Sequence, residues 1–265
     1  MGGAAKRKAA SSTKSFRAEI MENSPVCEGF MLLGLRPTTG NPPAPAPGQF
    51  YMVSAGNFPE PLLKRPFCYF DSIKGKGGFQ ILYKVQGKGT RALAAMSPGT
   101  ELEVLGPLGN TYPNLPKGKK ALIIAGGIGI ASVMPLIEKF KDRAVVLLGA
   151  RSKEQLLMKD RVKDALCTLK TVTDDGSEGA KGTALDLIRK MAPGPEYVIY
   201  ACGPEVMISA VAWYAQEHGL KGYASMEAYM ACGIGACMGC VVGTKKGYRR
   251  VCKDGPVFKL EDLIL

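Results

Sequence analysis

Four cysteines, Cys232, Cys237, Cys240 and Cys252, restrict what this chain can fold into more than any other feature. Three lie in Met230-Ala-Cys-Gly-Ile-Gly-Ala-Cys-Met-Gly-Cys240, and the fourth follows a gap of eleven residues in Arg250-Val-Cys-Lys-Asp-Gly255. C-x4-C-x2-C with a distant fourth thiol is the ligand spacing of a [2Fe–2S] cluster. A loop wrapping four sulfurs around two irons needs positive φ and close approach of N–H groups to sulfur, which Gly233, Gly235 and Gly239 would allow. A structural zinc site with four cysteines usually pairs them as two knuckles, C-x2–4-C twice. Here three thiols crowd nine residues and the fourth stands alone, so the spacing favours iron.

At 265 residues the chain can bury enough core for two compact domains plus this cysteine-rich piece. Its 46% apolar content is that of a soluble protein. Eight cysteines, half of them in one metal-binding pattern, do not read as a disulfide framework and point to a reducing cytoplasm. The uncharged run Ala121 to Ile137 is seventeen residues long, below spanning length, and is interrupted by glycines and Pro135. No signal-peptide core is expected near the start. Of the net charge of +12, Lys6, Arg7, Lys8 and Lys14 lie in a Gly/Ala/Ser-rich stretch, and residues 1–14 are expected to be a disordered basic tail. The remaining charge comes with no nucleic-acid motif and only 8% aromatics. Anionic nucleotide cofactors are its expected use, and neither nucleic acid nor membrane is an expected partner.

Over residues 15–116 the sequence shows six β-type runs: 16–21, 30–35, 49–53, 66–72, 79–85 and 101–105. Gly, Pro and Asn separate them, which predicts a six-stranded antiparallel barrel. A short helix is expected over 90–96 with Thr90 as N-cap. Over residues 117–223 apolar runs of strand length (121–125, 144–148, 168–172, 197–201) alternate with helical patterns (131–140, 153–166, 183–191, 205–218). That alternation predicts a doubly wound parallel α/β sheet. Residues 224–265 form the expected cluster-binding cap.

The turn Ala125-Gly-Gly-Ile-Gly-Ile-Ala-Ser132 falls between the first strand and first helix of the parallel unit. Gly126, Gly127 and Gly129 there would let N–H groups approach a pyrophosphate at a helix N-terminus, although a glycine-rich turn can also serve packing alone. Cys202, Gly203 and Pro204 repeat the arrangement at the last strand, on the edge that lines the ligand crevice of such sheets. A buried hydrophobe is the ordinary role of a free cysteine such as Cys202. In the barrel, Lys64-Arg-Pro-Phe-Cys-Tyr-Phe70 would put Arg65, Phe67 and Tyr69 on one face and Pro66, Cys68 and Phe70 on the other. Arg65 can fork a phosphate, and Gly87-Lys-Gly-Thr90 opens the short helix. Gly106-Pro-Leu-Gly-Asn110 closes the barrel.

In this order the motifs resemble those of the ferredoxin-reductase-like flavoproteins over residues 16–265. The stretch Ser225-Met-Glu-Ala-Tyr-Met-Ala-Cys232 through Cys240, with Val251-Cys-Lys-Asp-Gly-Pro-Val-Phe258, is similar to the electron-transfer subunits of dihydroorotate dehydrogenase B. The resemblance implies FAD in the barrel, held by Arg65, Pro66 and Phe67 with Gly89 and Thr90 at its pyrophosphate and Cys68 near the flavin ring. It implies NAD at Gly126, Gly127, Gly129, Cys202, Gly203 and Pro204, with Cys68 and Cys202 as the catalytic pair, and iron on the four cysteines. Relatives usually carry Ser or Thr where Cys68 stands, and a thiol is a weaker donor to the flavin. The implied function is to pass electrons from the FMN of a partner dihydroorotate dehydrogenase through the cluster and FAD to NAD+, in an assembly with two copies of each subunit. The nearest alternatives are an NAD(P)H–ferredoxin or sulfide oxidoreductase subunit and, further off, a non-enzymatic zinc module. Arg151 and Ser152, at the end of the second parallel strand, leave NAD against NADP open. His218, the lone histidine, is expected to face solvent rather than act as a base.

Overall fold

The computed structural model describes residues 15–56, 61–73, 75 and 77–264; the basic stretch 1–14 lies outside the described residues. Its first unit is a strongly bent antiparallel sheet of β1 (Ser15–Cys27), β2 (Phe30–Pro37), β3 (Phe50–Val53), β4 (Arg65–Cys68), β5 (Asp71–Ile73), β6 (Gly78–Lys84) and β7 (Glu101–Leu108). Their order is β4-β3-β7-β1-β2-β6-β5. The run expected as one strand over 66–72 is two. Tyr69 N–H donates to Gln49 O on the β3 side and Phe70 N–H to Gln80 O on β6, so this segment changes partners in mid-course and closes the barrel. Alternation fills the interior with Phe16, Ile20, Leu33, Leu35, Tyr51, Phe79 and Ile81, all buried, and Tyr51 stacks on Phe79 at 4.0 Å. The short helix α1 (Lys88–Ala94) begins two residues before the expected start. Its N-cap is Gly87, at φ 88°, and Thr90 sits inside the first turn with its Oγ1 accepting from Gln86 N–H at 2.7 Å.

The second unit is a seven-stranded sheet of β8 (Lys120–Gly126), β9 (Ala144–Ala150), β10 (Thr168–Thr173), β11 (Ala180–Lys181), β12 (Tyr197–Cys202), β13 (Gly222–Ser225) and β16 (Val257–Lys259), in the order β11-β10-β9-β8-β12-β13-β16. All pairs are parallel except the edge pair β13–β16. The uncharged run is β8 followed by α2 (Ile130–Phe140), buried from both sides. The helical pattern over 153–166 is broken: Met158 adopts φ 57°, only Lys159–Asp164 forms α3, and Leu156 and Leu157 turn into the core. Helix α4 (Ala184–Met191) is closed by a capping box in which Thr183 and Asp186 bond reciprocally. Helix α5 (Glu205–Glu217) follows β12, and His218 beyond it is exposed and stacks on Tyr214.

Between β13 and β16 the chain forms the cysteine-rich cap, with a small hairpin of β14 (Val241–Val242) and β15 (Arg249–Arg250) and one turn of helix, α6 (Val251–Asp254). Arg161 ties the first two units together: it pairs with Asp71 of β5 and Glu138 of α2 while its guanidinium lies 4.9 Å from the Phe70 ring centroid. Among the described residues, no helix is long and apolar enough to cross a membrane.

Candidate functional site

The cap brings the four cysteines together in two pairs. The β14–β15 hairpin sets Val251 N–H on Cys240 O at 2.7 Å, and Cys252 N–H then points at Cys240 Sγ at 3.4 Å. On the other side Cys237 N–H points at Cys232 Sγ at 3.5 Å. Among the described residues no three His, Cys, Asp or Glu side chains are placed to hold a single ion. Two thiols per metal is the arrangement a two-iron cluster requires, and N–H groups aimed at sulfur are its usual support. Burial pushes the Cys232 thiol up, but the N–H groups of Cys237, Ile234 and Ala236 outweigh it and bring it down to about 6. Burial and the neighbouring Cys240 push Cys252 up. The residues present thus fit the cluster. Gly233 and Gly235 adopt φ 70° and 84°, and a Cβ on Gly233 would lie 2.6 Å from Met52 Cγ. The third turn of the loop is made by Met238 at φ 59°, not by Gly239.

In the barrel, Arg65 lies over the first turn of α1. A Cβ on Gly89 would fall 2.7 Å from Arg65 Nε and 2.9 Å from Cζ, so glycine lets the guanidinium lie at that place without shifting. One arm of Arg65 donates to Leu63 O, leaving the others over the helix start. Pro66 faces Met52 and Phe67 faces Tyr51 across β3–β4, and the Phe67 ring packs 5.5 Å from Tyr83. Thr90 comes to the same corner, but its hydroxyl is already bonded to Gln86.

Cys68 points the other way, toward the parallel sheet, where it meets Cys202 at the end of β12. Both thiols are raised by burial first and by the negative charge of Glu227 second; Cys68 stands at about 12. Cys68 is only half-buried, so it lines a cleft enclosed by protein rather than a sealed core. Glu227 is exposed, yet close enough to raise both thiols, and its own carboxyl is raised by the protein around it. Tyr112 donates to Ala201 O at 3.0 Å beneath them. Ser132, in the first turn of α2, is fully buried; its Oγ is near enough to Cys68, Cys202 and Tyr112 to pull each of them down, but it makes no hydrogen bond of good geometry. An orphaned hydroxyl beside two neutral thiols is what a planar ligand with a polar edge would complete, so this corner fits a flavin ring.

The glycines divide their work. Gly126 and Gly129 serve close packing: a Cβ on Gly126 would lie 2.7 Å from Met207 Sδ, and one on Gly129 would lie 2.2 Å from Cys202 O. Gly203 packs against Gly126 and Met207 in the same way, ahead of Pro204, the N-cap of α5. Gly127, at φ 52°, has open space before it and is the glycine whose backbone a pyrophosphate could reach. Ser132 and Glu227 lie within quoted motifs, but nothing in spacing marks them as partners of Cys68 and Cys202. Their signal is the fold.

Residues 227–264 match the family described as the iron–sulfur cluster binding domain of dihydroorotate dehydrogenase B, and residues 123–212 match the oxidoreductase NAD-binding domain. The chain is 37% identical over 227 residues to the dihydroorotate dehydrogenase B (NAD(+)) electron transfer subunit of Fusobacterium nucleatum, covering 82% of this chain and 86% of that relative. Against the same subunit of Clostridium acetobutylicum it is 40% identical over 220 residues, covering 83% and 86%. The chain belongs to the family of dihydroorotate dehydrogenase B electron-transfer subunits. Among solved structures, an NADH-dependent reduced ferredoxin–NADP oxidoreductase studied for flavin-based electron bifurcation superposes on this family member with TM-score 0.81. It has 27% identity and coverage of 97% of this chain and 91% of that one. The cytochrome b5 reductase domain of Ulva prolifera nitrate reductase superposes with TM-score 0.65 at 17% identity, over 78% and 94%, which shows a shared fold.

Proposed function

We propose that this subunit carries electrons from a catalytic dihydroorotate dehydrogenase partner, through the cap and the barrel, to NAD+. The observation that carries the reading is that the cap and the residues read as the flavin side meet along one face of a single strand pair. The cap packs on Met52 and Leu108, and the core cluster around Phe50 includes Cys240 and Cys252. Across β3–β4 those same residues pair with the flavin-side residues: Phe50 with Cys68 and Met52 with Pro66.

In this reading residues 15–116 hold FAD, 117–223 hold NAD, and 224–265 hold the [2Fe–2S] cluster on Cys232, Cys237, Cys240 and Cys252. When bound, FAD supplies the conversion between single electrons and a two-electron hydride. Arg65, seated on Gly89, presents its guanidinium to the pyrophosphate. Cys68, held near 12, stays a neutral thiol at working pH and offers its proton to the ring edge; Ser132 supplies a second donor from below. Cys202, also kept neutral, packs where the nicotinamide must reach the flavin. Glu227 is a third polar group near that cleft.

Ser152 is bonded to Glu154 at 2.6 Å, and that hydrogen bond holds Glu154 below the usual carboxylate range. Glu154 lies four residues past the end of β9, near the position from which such folds sense the ribose, and its negative charge supports NAD over NADP. Around the cluster loop, Ile234, Met238, Val241, Tyr229 and Tyr248 are exposed, and the stretch between Glu227 and Asp254 carries five cations and no acid. An apolar centre with a basic rim suits a docking face for the FMN-containing partner, in an assembly of two copies of each subunit. Work in the cytoplasm, without nucleic acid or membrane, completes the proposal.

The test is purification with and without the partner under anaerobic conditions. The isolated chain should contain about two irons and one FAD and reduce dyes with NADH. NAD+ reduction by dihydroorotate should require the partner. Zinc in place of iron, or dihydroorotate-dependent NAD+ reduction by the isolated chain, would overturn the reading.

A further inference from the structure

The motif Gly106-Pro-Leu-Gly-Asn110, which takes no part in the proposed chemistry, meets in space the segment Asp254-Gly-Pro-Val-Phe258 that follows Cys252. The contact is made by Asn110, whose partners lie 144 and 147 residues away in sequence. Its backbone N–H donates to Gly255 O at 2.7 Å. Its Nδ2 donates to Val257 O at 2.9 Å and to Asp254 O at 3.2 Å, and its Oδ1 accepts from Val257 N–H at 2.9 Å. A partly exposed asparagine has water available for every one of these bonds, yet all are spent on one short segment directly after Cys252.

The surroundings leave that segment little room. Gly109 has φ 77°, and a Cβ there would lie 2.5 Å from Pro256 Cδ and 2.9 Å from Gly255 O. A Cβ on Gly48 would lie 2.8 Å from Val257 Cγ2. Two residues beyond Asn110, Tyr112 donates its N–H to Pro47 O at 3.0 Å and its hydroxyl to Ala201 O at 3.0 Å. Residues 109–112 therefore form one joint that touches the barrel, the parallel sheet and the cap.

We propose that Asn110 is a positioning residue for electron transfer, clipping the cluster cap to the flavin barrel and so setting the separation of the two redox groups. This rests on the reading of cap and barrel as carriers of cluster and FAD. In the step concerned, NADH gives a hydride to the flavin and leaves as NAD+. The cluster then takes one electron from the reduced flavin, and the other electron stays on the flavin. The rate of that single-electron step falls steeply with distance, whereas hydride transfer is assigned to residues with which Asn110 makes none of its hydrogen bonds.

The experiment compares wild type, Asn110→Ala and Asn110→Asp, each purified with its own flavin and iron. The aspartate keeps the acceptor for Val257 N–H but sets a carboxylate against two carbonyls. Two readouts are taken: NADH-driven bleaching of the cluster in stopped flow, and amide exchange of the peptide 251–259 by mass spectrometry. In Asn110→Ala, exchange should rise and cluster bleaching should slow, each by about tenfold or more, the effect of losing three hydrogen bonds that water only partly replaces. NADH–dye turnover at the flavin should stay within about twofold, and flavin and iron content should not change. Should the alanine variant lose its iron, the same two readouts on Asn110→Asp decide. Wild-type exchange and wild-type bleaching in the variants would overturn the proposal while leaving the functional reading intact. Wild-type protein without flavin or iron would instead defeat that reading.

Discussion

Replacing Arg65 by Ala tests the placement of the FAD pyrophosphate directly. The guanidinium rests on Gly89 with one arm held by Leu63 O, so it is already oriented before any ligand arrives. A hydrogen bond to a charged group contributes about 1.5–3 kcal/mol, and about 1.4 kcal/mol is a factor of ten, so loss of the contact should weaken FAD binding by roughly 10- to 150-fold. Arg65 is only half-buried, which places the expectation in the lower half of that range. Arg65→Lys keeps the charge without the fork and should fall between. Gly89→Ala pushes a methyl into the guanidinium from the opposite side. Because the neighbour is the mobile end of a side chain, its effect should be smaller than that of Arg65→Ala. The assay is titration of deflavinated protein with FAD, read by quenching of flavin fluorescence, with iron content followed in parallel. If Arg65→Ala binds FAD within about twofold of wild type, the pyrophosphate does not lie at the start of α1 and the reasoning fails.

Three further perturbations probe other parts of the chain. Thr183→Ala should cost about 1 kcal/mol of stability at neutral pH in denaturant unfolding, by opening the cap of α4. The Thr183 hydroxyl and N–H hold Asp186 below the usual carboxylate range, so the charge-dependent part of this contribution is present above about pH 4 and is lost as pH falls through the lowered folded value, where the gap between wild type and variant should narrow. Cys68→Ser should retain FAD and change the rate of flavin reduction by NADH in stopped flow, because a stronger donor replaces a thiol; with Cys68 at about 12, the wild-type rate should show no thiol inflection below about pH 10. Arg161→Met should lower stability by about 1–3 kcal/mol at low salt, since it removes pairing to Asp71 and Glu138 and the contact with Phe70, and a deficit that persists unchanged in 1 M salt would argue against an ionic origin.

The strands of the barrel and of the parallel sheet are legible in sequence because each buries alternate or consecutive apolar residues between strong turn formers. What escapes is decided by contacts far apart in the chain. Val257–Lys259 is too short to announce itself, and it becomes a strand only because β13 offers an unpaired edge. The helix expected over 153–166 breaks at Met158, where burying Leu156 and Leu157 outweighs local helix propensity. Thr90 looks like an N-cap because its residue type is right, but Gly87 occupies that position and the hydroxyl bonds backward to Gln86. The cysteine motif is legible because its ligands are close in sequence. The convergence of Cys68, Ser132, Cys202 and Glu227 is not, since four separate elements deliver them to one neighbourhood.

The cap leaves β13 at Ser225 and returns at Val257, opposite the residue from which it left, with Met226 N–H on Pro256 O at 2.9 Å. Topologically, residues 226–256 are an excursion inside a β-hairpin rather than an appended tail. Its two roots stand one strand spacing apart, about 4.8 Å, a gap that a two-residue turn spans. A lineage could therefore gain or shed the whole iron-carrying cassette without disturbing the register of the sheet that holds it, and a protein engineer could transplant it into any relative whose edge strands form the same hairpin.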